Sequence, residues 1–152
     1  MRNAFVLVAS VVMCAATVAV RVDAARSAGG GLQAEAAKPT LDYEFFKARV
    51  QPIFLAKRPG HARCIACHGS GTPLRLQPPA KGSSTFSEED SRKNFETIRR
   101  VVVPGSVRSR LLVHPLEEKA GGDFYHNGGK HWTSQDDPEW QTLKAFVMGQ
   151  KG

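Results

Sequence analysis

Cys64-Ile65-Ala66-Cys67-His68 lies near the middle of a 152-residue chain, after a basic loop holding Lys57, Arg58, His61 and Arg63 and before Gly69. Two thiols three residues apart, with a histidine directly after the second, form a C-x-x-C-H pattern, the attachment sequence of a covalently bound haem. Chemistry explains the spacing. Thiols at i and i+3 reach the two vinyl groups of one porphyrin and form thioethers, and the adjoining imidazole then lies under the iron. Gly69 lets the chain turn closely past the ring. On this reading Cys64 and Cys67 hold one haem c, and His68 is the proximal iron ligand.

Three other uses of these residues are weaker. A zinc site needs four ligands, usually with a second Cys or Cys/His pair, and the remaining histidines lack that spacing. A thioredoxin-like redox pair belongs in a βαβ pattern, and no strand is legible here. A structural disulfide suits an exported chain but leaves His68 and the helical flanks unexplained.

The third cysteine, Cys14, falls in a leader. Met1, Arg2 and Asn3 make a short basic start, and Ala4 to Val20 is an apolar run of 17 residues broken only by Ser10 and Thr17. Val22-Asp23-Ala24 then offers small residues at −3 and −1. The form is that of a secretory signal peptide over 1–24, cleaved after Ala24. The alternative is an uncleaved membrane anchor, for which 17 residues is the short edge of a bilayer span. Lipidation at Cys14 ranks lowest, because Val11-Val12-Met13 makes a poor lipoprotein signal. Without the leader, basic residues fall from 21 to 19 and acidic ones from 14 to 13, leaving a net charge of +6.

Outward from the motif the chain reads as helices and irregular loops. Residues 25–39 are rich in Ala and Gly, carry no apolar period and read as a flexible linker. The folded domain spans 40–152. Thr40 is placed to cap a first helix to about Leu55, with Phe46, Val50, Ile53 and Phe54 on one face and a kink or stop at Pro52. Residues 69–86 form an irregular wrap. Ser87 and Asp90 make a capping-box-like start to a helix striped by Phe95, Ile98 and Val102. Leu111 and Leu112 suggest a short helix before His114-Pro115. Asp137 as N-cap and Pro138 at the first position open the last helix, whose inward face is Trp140, Leu143 and Val147.

These flanks, "FFKARVQPIFLAK…CIACH" and the C-terminal "DPEWQTLKAFV", resemble a mono-haem class I cytochrome c domain over about residues 41–149. The resemblance is to the exported cytochromes of planctomycete and acidobacterial type. It implies an all-α, cytochrome c-like fold of about four helices and irregular loops around one covalent haem. It also implies single-electron transfer, with no catalytic residues in the ordinary sense. In such domains a loop before the last helix delivers the second axial ligand, commonly a methionine in a Met-Pro-Pro-type turn. Here Met1 and Met13 lie in the leader, and Met148 lies at the end of the last helix, the wrong place for that loop. His126-Asn127-Gly128-Gly129 stands about where Met-Pro-Pro-Gly-Gly would. His126 is therefore the expected distal ligand, with His131 and then His114 as alternatives. His61 is too close to the motif to reach the opposite haem face easily.

The charge expectation is a redox partner protein with acidic groups, met by Lys57, Arg58, Arg63, Lys81 and Lys130 around an exposed haem edge. Arg75 or Trp132 is placed to hold a propionate. Basic residues and aromatics do not interleave in a stripe, so nucleic acid is the weakest partner. The expected location is periplasmic or otherwise exported, at a membrane only if the N-terminal segment is kept as an anchor. No nucleophile–base pair or phosphate loop is present. The rival functions are a five-coordinate haem that binds a small gas, as a sensor or weak peroxidase, and a haem subunit of a larger redox complex.

Overall fold

The structure, a computed structural model, describes residues 37–152. The expected signal peptide over 1–24, Cys14 and most of the 25–39 linker lie outside the described residues.

The described chain is helical and contains no strand; one isolated bridge joins Leu116 to Trp132. The first helical run has three parts in unbroken succession: α1 (Tyr43–Phe45), a π turn (Phe46–Val50) and α2 (Gln51–Leu55). Its cap is Asp42 rather than Thr40, with the Asp42 carboxylate accepting from the Phe45 N–H at 2.8 Å. The run does not stop at Pro52, and the π turn is the reason. Gln51 N–H donates five residues back to Phe46 O, so Pro52 enters among the first residues of a fresh α-helical turn. No backbone donor is required there, and the missing proline N–H costs little.

The C-x-x-C-H segment is itself a short helix, α3 (Cys64–His68). The following wrap is fixed by Asn94, which is fully buried on α4 (Glu88–Val101). Asn94 accepts from Gln77 N–H at 2.6 Å and donates to Gln77 O at 3.2 Å. This satisfies a backbone amide inside the fold that no helix or strand would pair. Ser87 caps α4 by accepting from Asp90 N–H, and Glu88, Glu89 and Asp90 fill its first turn, where carboxylates favour the helix dipole.

After Pro104-Gly105 come α5 (Arg110–Val113), a 3₁₀ turn (Glu118–Ala120) and α6 (Pro138–Val147). Asp137 caps α6 through the Glu139 and Trp140 amides. Trp140 donates its indole N–H to Leu112 O at 3.1 Å, joining α6 to α5.

Phe46 ties the core together. Its ring lies 6.3 Å from Phe54, 5.4 Å from Phe95 and 5.8 Å from Phe146, centre to centre. The first helical run, α4 and α6 thus meet on one aromatic cluster. Burying each such ring contributes about 1.5–3 kcal/mol, with a smaller bonus from ring–ring geometry. Phe46, Val50, Ile53 and Phe54 are all buried, as their helical spacing predicts.

Candidate functional site

Helix α3 puts Cys64 and Cys67 one turn apart on the same side, because residues at i and i+3 are helical neighbours. Both are free thiols, Cys64 half-buried against the core and Cys67 exposed. Burial pushes the Cys64 thiol above its ordinary value, and the Arg58 guanidinium 3.9 Å away partly opposes this.

His68 closes the same turn. Its Nδ1 lies 2.9 Å from Leu74 O and 3.1 Å from the Thr72 hydroxyl, which itself donates to Leu74 O at 2.7 Å. With Nδ1–H given to a backbone carbonyl, Nε2 is the nitrogen left free.

His126 repeats this arrangement on the glycine-rich loop before α6. Its Nδ1 lies 2.5 Å from Gly129 O, again leaving Nε2 free. Gly129 adopts a positive φ of 78°, which suits a residue without Cβ. The two rings stand 6.2 Å apart with planes inclined by 17°.

The remaining histidines gather around His126. His114 meets its ring edge-on at 5.0 Å, and the His114 Nδ1 pairs with Asp123 at 2.9 Å. His131 lies 5.8 Å from His126 and 5.0 Å from His61. All five histidines of the chain therefore form one connected cluster. Burial depresses the pKa of His126, and that of His131 to about 4. The His131 Nδ1 is buried without a hydrogen-bond partner.

The path of this loop is set from outside it. Lys130 donates to His114 O at 3.0 Å and to Asp123 O. Asp123 N–H donates to Val113 O, and His131 N–H to Pro115 O, each at 2.8 Å. Gly122 packs so tightly that a Cβ there would stand 1.9 Å from Leu116 O.

Lys130 and Arg58 are expected on an exposed basic ring, and both do other work. Arg58 is largely buried, its side chain 11% exposed, and forms an ion pair with Glu139. It also donates to Ile53 O and lies 5.1 Å over the Trp132 ring. Trp132 is buried, with its indole N–H toward Glu139 at 3.4 Å rather than free for a propionate. Sequence spacing gave no sign of this Arg58–Glu139–Trp132 group, whose members are up to 81 residues apart. Lys57, Arg63, Arg75 and Lys81 are exposed. A cleft of about 600 Å³ opens on the loop leading into α3, lined by Lys57, Arg58, Pro59, Gly60 and His61.

The donor set fits a haem. Ligating histidines characteristically give their second ring N–H to a carbonyl or carboxylate, as His68 and His126 both do. With metal–nitrogen bonds of about 2 Å, two imidazoles on opposite sides of one metal stand about 6 Å apart between ring centres, the separation found here. Among the described residues no three His, Cys, Asp or Glu side chains converge as an all-protein metal site would require. No protein-family profile, curated protein or solved structure matches this chain.

Proposed function

We propose that this chain is an exported c-type cytochrome of class I type, carrying single electrons through one haem attached at Cys64 and Cys67. His68 and His126 are the residues that would hold its iron. The observation that carries the reading is the pairing of His68, fixed at the end of the C-x-x-C-H turn, with a second imidazole 6.2 Å away and nearly parallel to it. Each ring has its Nδ1 on a backbone carbonyl.

When bound, the haem supplies a one-electron iron couple. The chain's own part is to orient and insulate. Leu74 O and Gly129 O hold the two rings and raise the basicity of their free nitrogens. Two imidazoles donate more electron density than the histidine–methionine pair that raises cytochrome c potentials, so the ferric state is favoured by comparison. Met148 caps the far end of α6 and is 42% exposed, a position suited to a helix end rather than a ligand. Exposed Lys57, Arg63 and Lys81 suit an acidic redox partner. Export rests on the leader over 1–24. The five-coordinate alternative has less support, because a second imidazole lies 6.2 Å from that of His68.

The test is the absorption spectrum of the purified full chain matured with haem, oxidised and dithionite-reduced, after acid-acetone extraction of loose haem. A retained, sharp-banded low-spin spectrum that does not shift under carbon monoxide is expected. Haem lost on extraction overturns covalent attachment. A high-spin spectrum that shifts with carbon monoxide overturns the electron-carrier reading in favour of gas binding or peroxidase chemistry. Mass spectrometry beginning at Ala25 checks export.

A further inference from the structure

The loop carrying His126 carries a second imidazole that ligation at His126 leaves unused. We infer that His131 is a reserve iron ligand: when His126 leaves the iron, His131 takes its place, so that the distal face has two alternative imidazoles on one loop. The inference rests on the haem reading above.

Three observations support it. The first is proximity, since the His131 and His126 rings are 5.8 Å apart. Gly128 sits between them; a Cβ on it would lie 3.5 Å from His126 Cε1 and 3.9 Å from His131 Nε2. Having no side chain there leaves the space between the rings clear, and Nε2 is the atom of the His131 ring nearest to it.

The second is the difference in how the two residues are anchored. His131 is tied at its backbone, through its N–H to Pro115 O at 2.8 Å, and Trp132 O accepts from Glu117 N–H next door. His126 is held by contacts inside its own turn, namely its Nδ1 on Gly129 O and the Gly129 N–H on its own carbonyl. The turn between the outside anchors at Asp123 and Lys130 can therefore open without moving the His131 backbone.

The third is an unmet polar atom. The His131 Nδ1 is buried with no partner, so no hydrogen bond at that nitrogen holds the ring in its present orientation.

The experiment compares ferric absorption and electron paramagnetic resonance spectra of the haem-loaded full chain as wild type, His126→Ala, His131→Gln and the double variant. Expected is a His126→Ala protein that remains mainly low-spin with shifted resonances, and a double variant that is high-spin. A high-spin His126→Ala protein would overturn the inference while leaving His126 as ligand. A low-spin double variant would also overturn it, as would a high-spin His131→Gln protein, which would make His131 the resident ligand. A wild type without covalent haem would refute the functional reading itself, which no variant result does. If His126→Ala is not recovered loaded, cyanide binding to ferric wild type and His131→Gln decides. Loss of the competing imidazole makes the variant react several-fold faster, and an equal rate rejects the inference.

Discussion

His68 and His126, 58 residues apart in sequence, place their imidazoles 6.2 Å apart with planes 17° from parallel. One ring is set by its local turn, the other by the fold. His68 follows from the turn of α3 and the carbonyl of Leu74. His126 depends on a loop with no helical period, held by a few long-range hydrogen bonds.

Lys130 is the most informative of those anchors. Its ammonium reaches the carbonyls of His114 and Asp123 across 16 and 7 residues. Lys130→Met removes both bonds and loosens the His126 turn without touching α3. Covalent haem content should stay unchanged, while cyanide binding to the ferric protein accelerates by roughly tenfold, the usual scale for loss of a group supporting a ligand. Stopped-flow mixing measures the rate, and an unchanged rate would remove Lys130 from the site.

The Arg58–Glu139 pair predicts an asymmetry. Arg58 is the more buried partner, its side chain 11% exposed against 35% for Glu139. Glu139→Ala leaves a guanidinium in the interior without its carboxylate and should cost about 2–3 kcal/mol. Arg58→Met should cost less, since Glu139 keeps solvent contact and Trp132 as a donor. Denaturant unfolding of both variants gives the order, and equal losses would contradict this account of the burial.

Phe146→Ala removes one ring from the cluster that joins the first helical run, α4 and α6. Phe146 is fully buried and contacts Phe45, Phe46 and Phe95. A loss of about 3–5 kcal/mol is expected in thermal or urea unfolding. A loss under about 1 kcal/mol would mean the site collapses freely around the gap.

Asp42 predicts a pH dependence. Its carboxylate accepts the Phe45 amide, and this hydrogen bond is the main cause that lowers its pKa below 3.8. The folded state therefore binds the proton less tightly than the unfolded chain. Stability from this group is complete above 3.8 and is lost as pH falls through the lowered value. Asp42→Ala should melt below wild type at neutral pH, with the difference shrinking in strong acid. A difference that does not change with pH would assign the effect to something other than the carboxylate.

Much of the helical frame was legible in the sequence. Ser87 and Asp137 cap the helices that their spacing announces, and the Phe46, Val50, Ile53, Phe54 face is buried. The cap at Asp42 rather than Thr40 is a choice between two capping residues two positions apart, and the absence of a stop at Pro52 has a different cause. A π turn shifts the register of the first helical run, and local rules do not foresee an i to i−5 bond. Arg58 was read as a surface charge because nothing near it in sequence shows that Glu139 and Trp132 will enclose it.

By itself, the sequence determined the helix starts, the apolar faces and the one-turn spacing of Cys64, Cys67 and His68, because each depends on spacing within one or two turns of chain. The tertiary structure alone decided which imidazole comes within 6.2 Å of His68, that the His131 ring lies 5.8 Å from that of His126, and that Arg58 and Lys130 hold backbone and carboxylate groups. Those outcomes depend on where the aperiodic stretch from Leu116 to Trp132 runs. That path is set by contacts to Val113, His114 and Pro115, by the Leu116–Trp132 bridge and by the tight packing of Gly122 on Leu116.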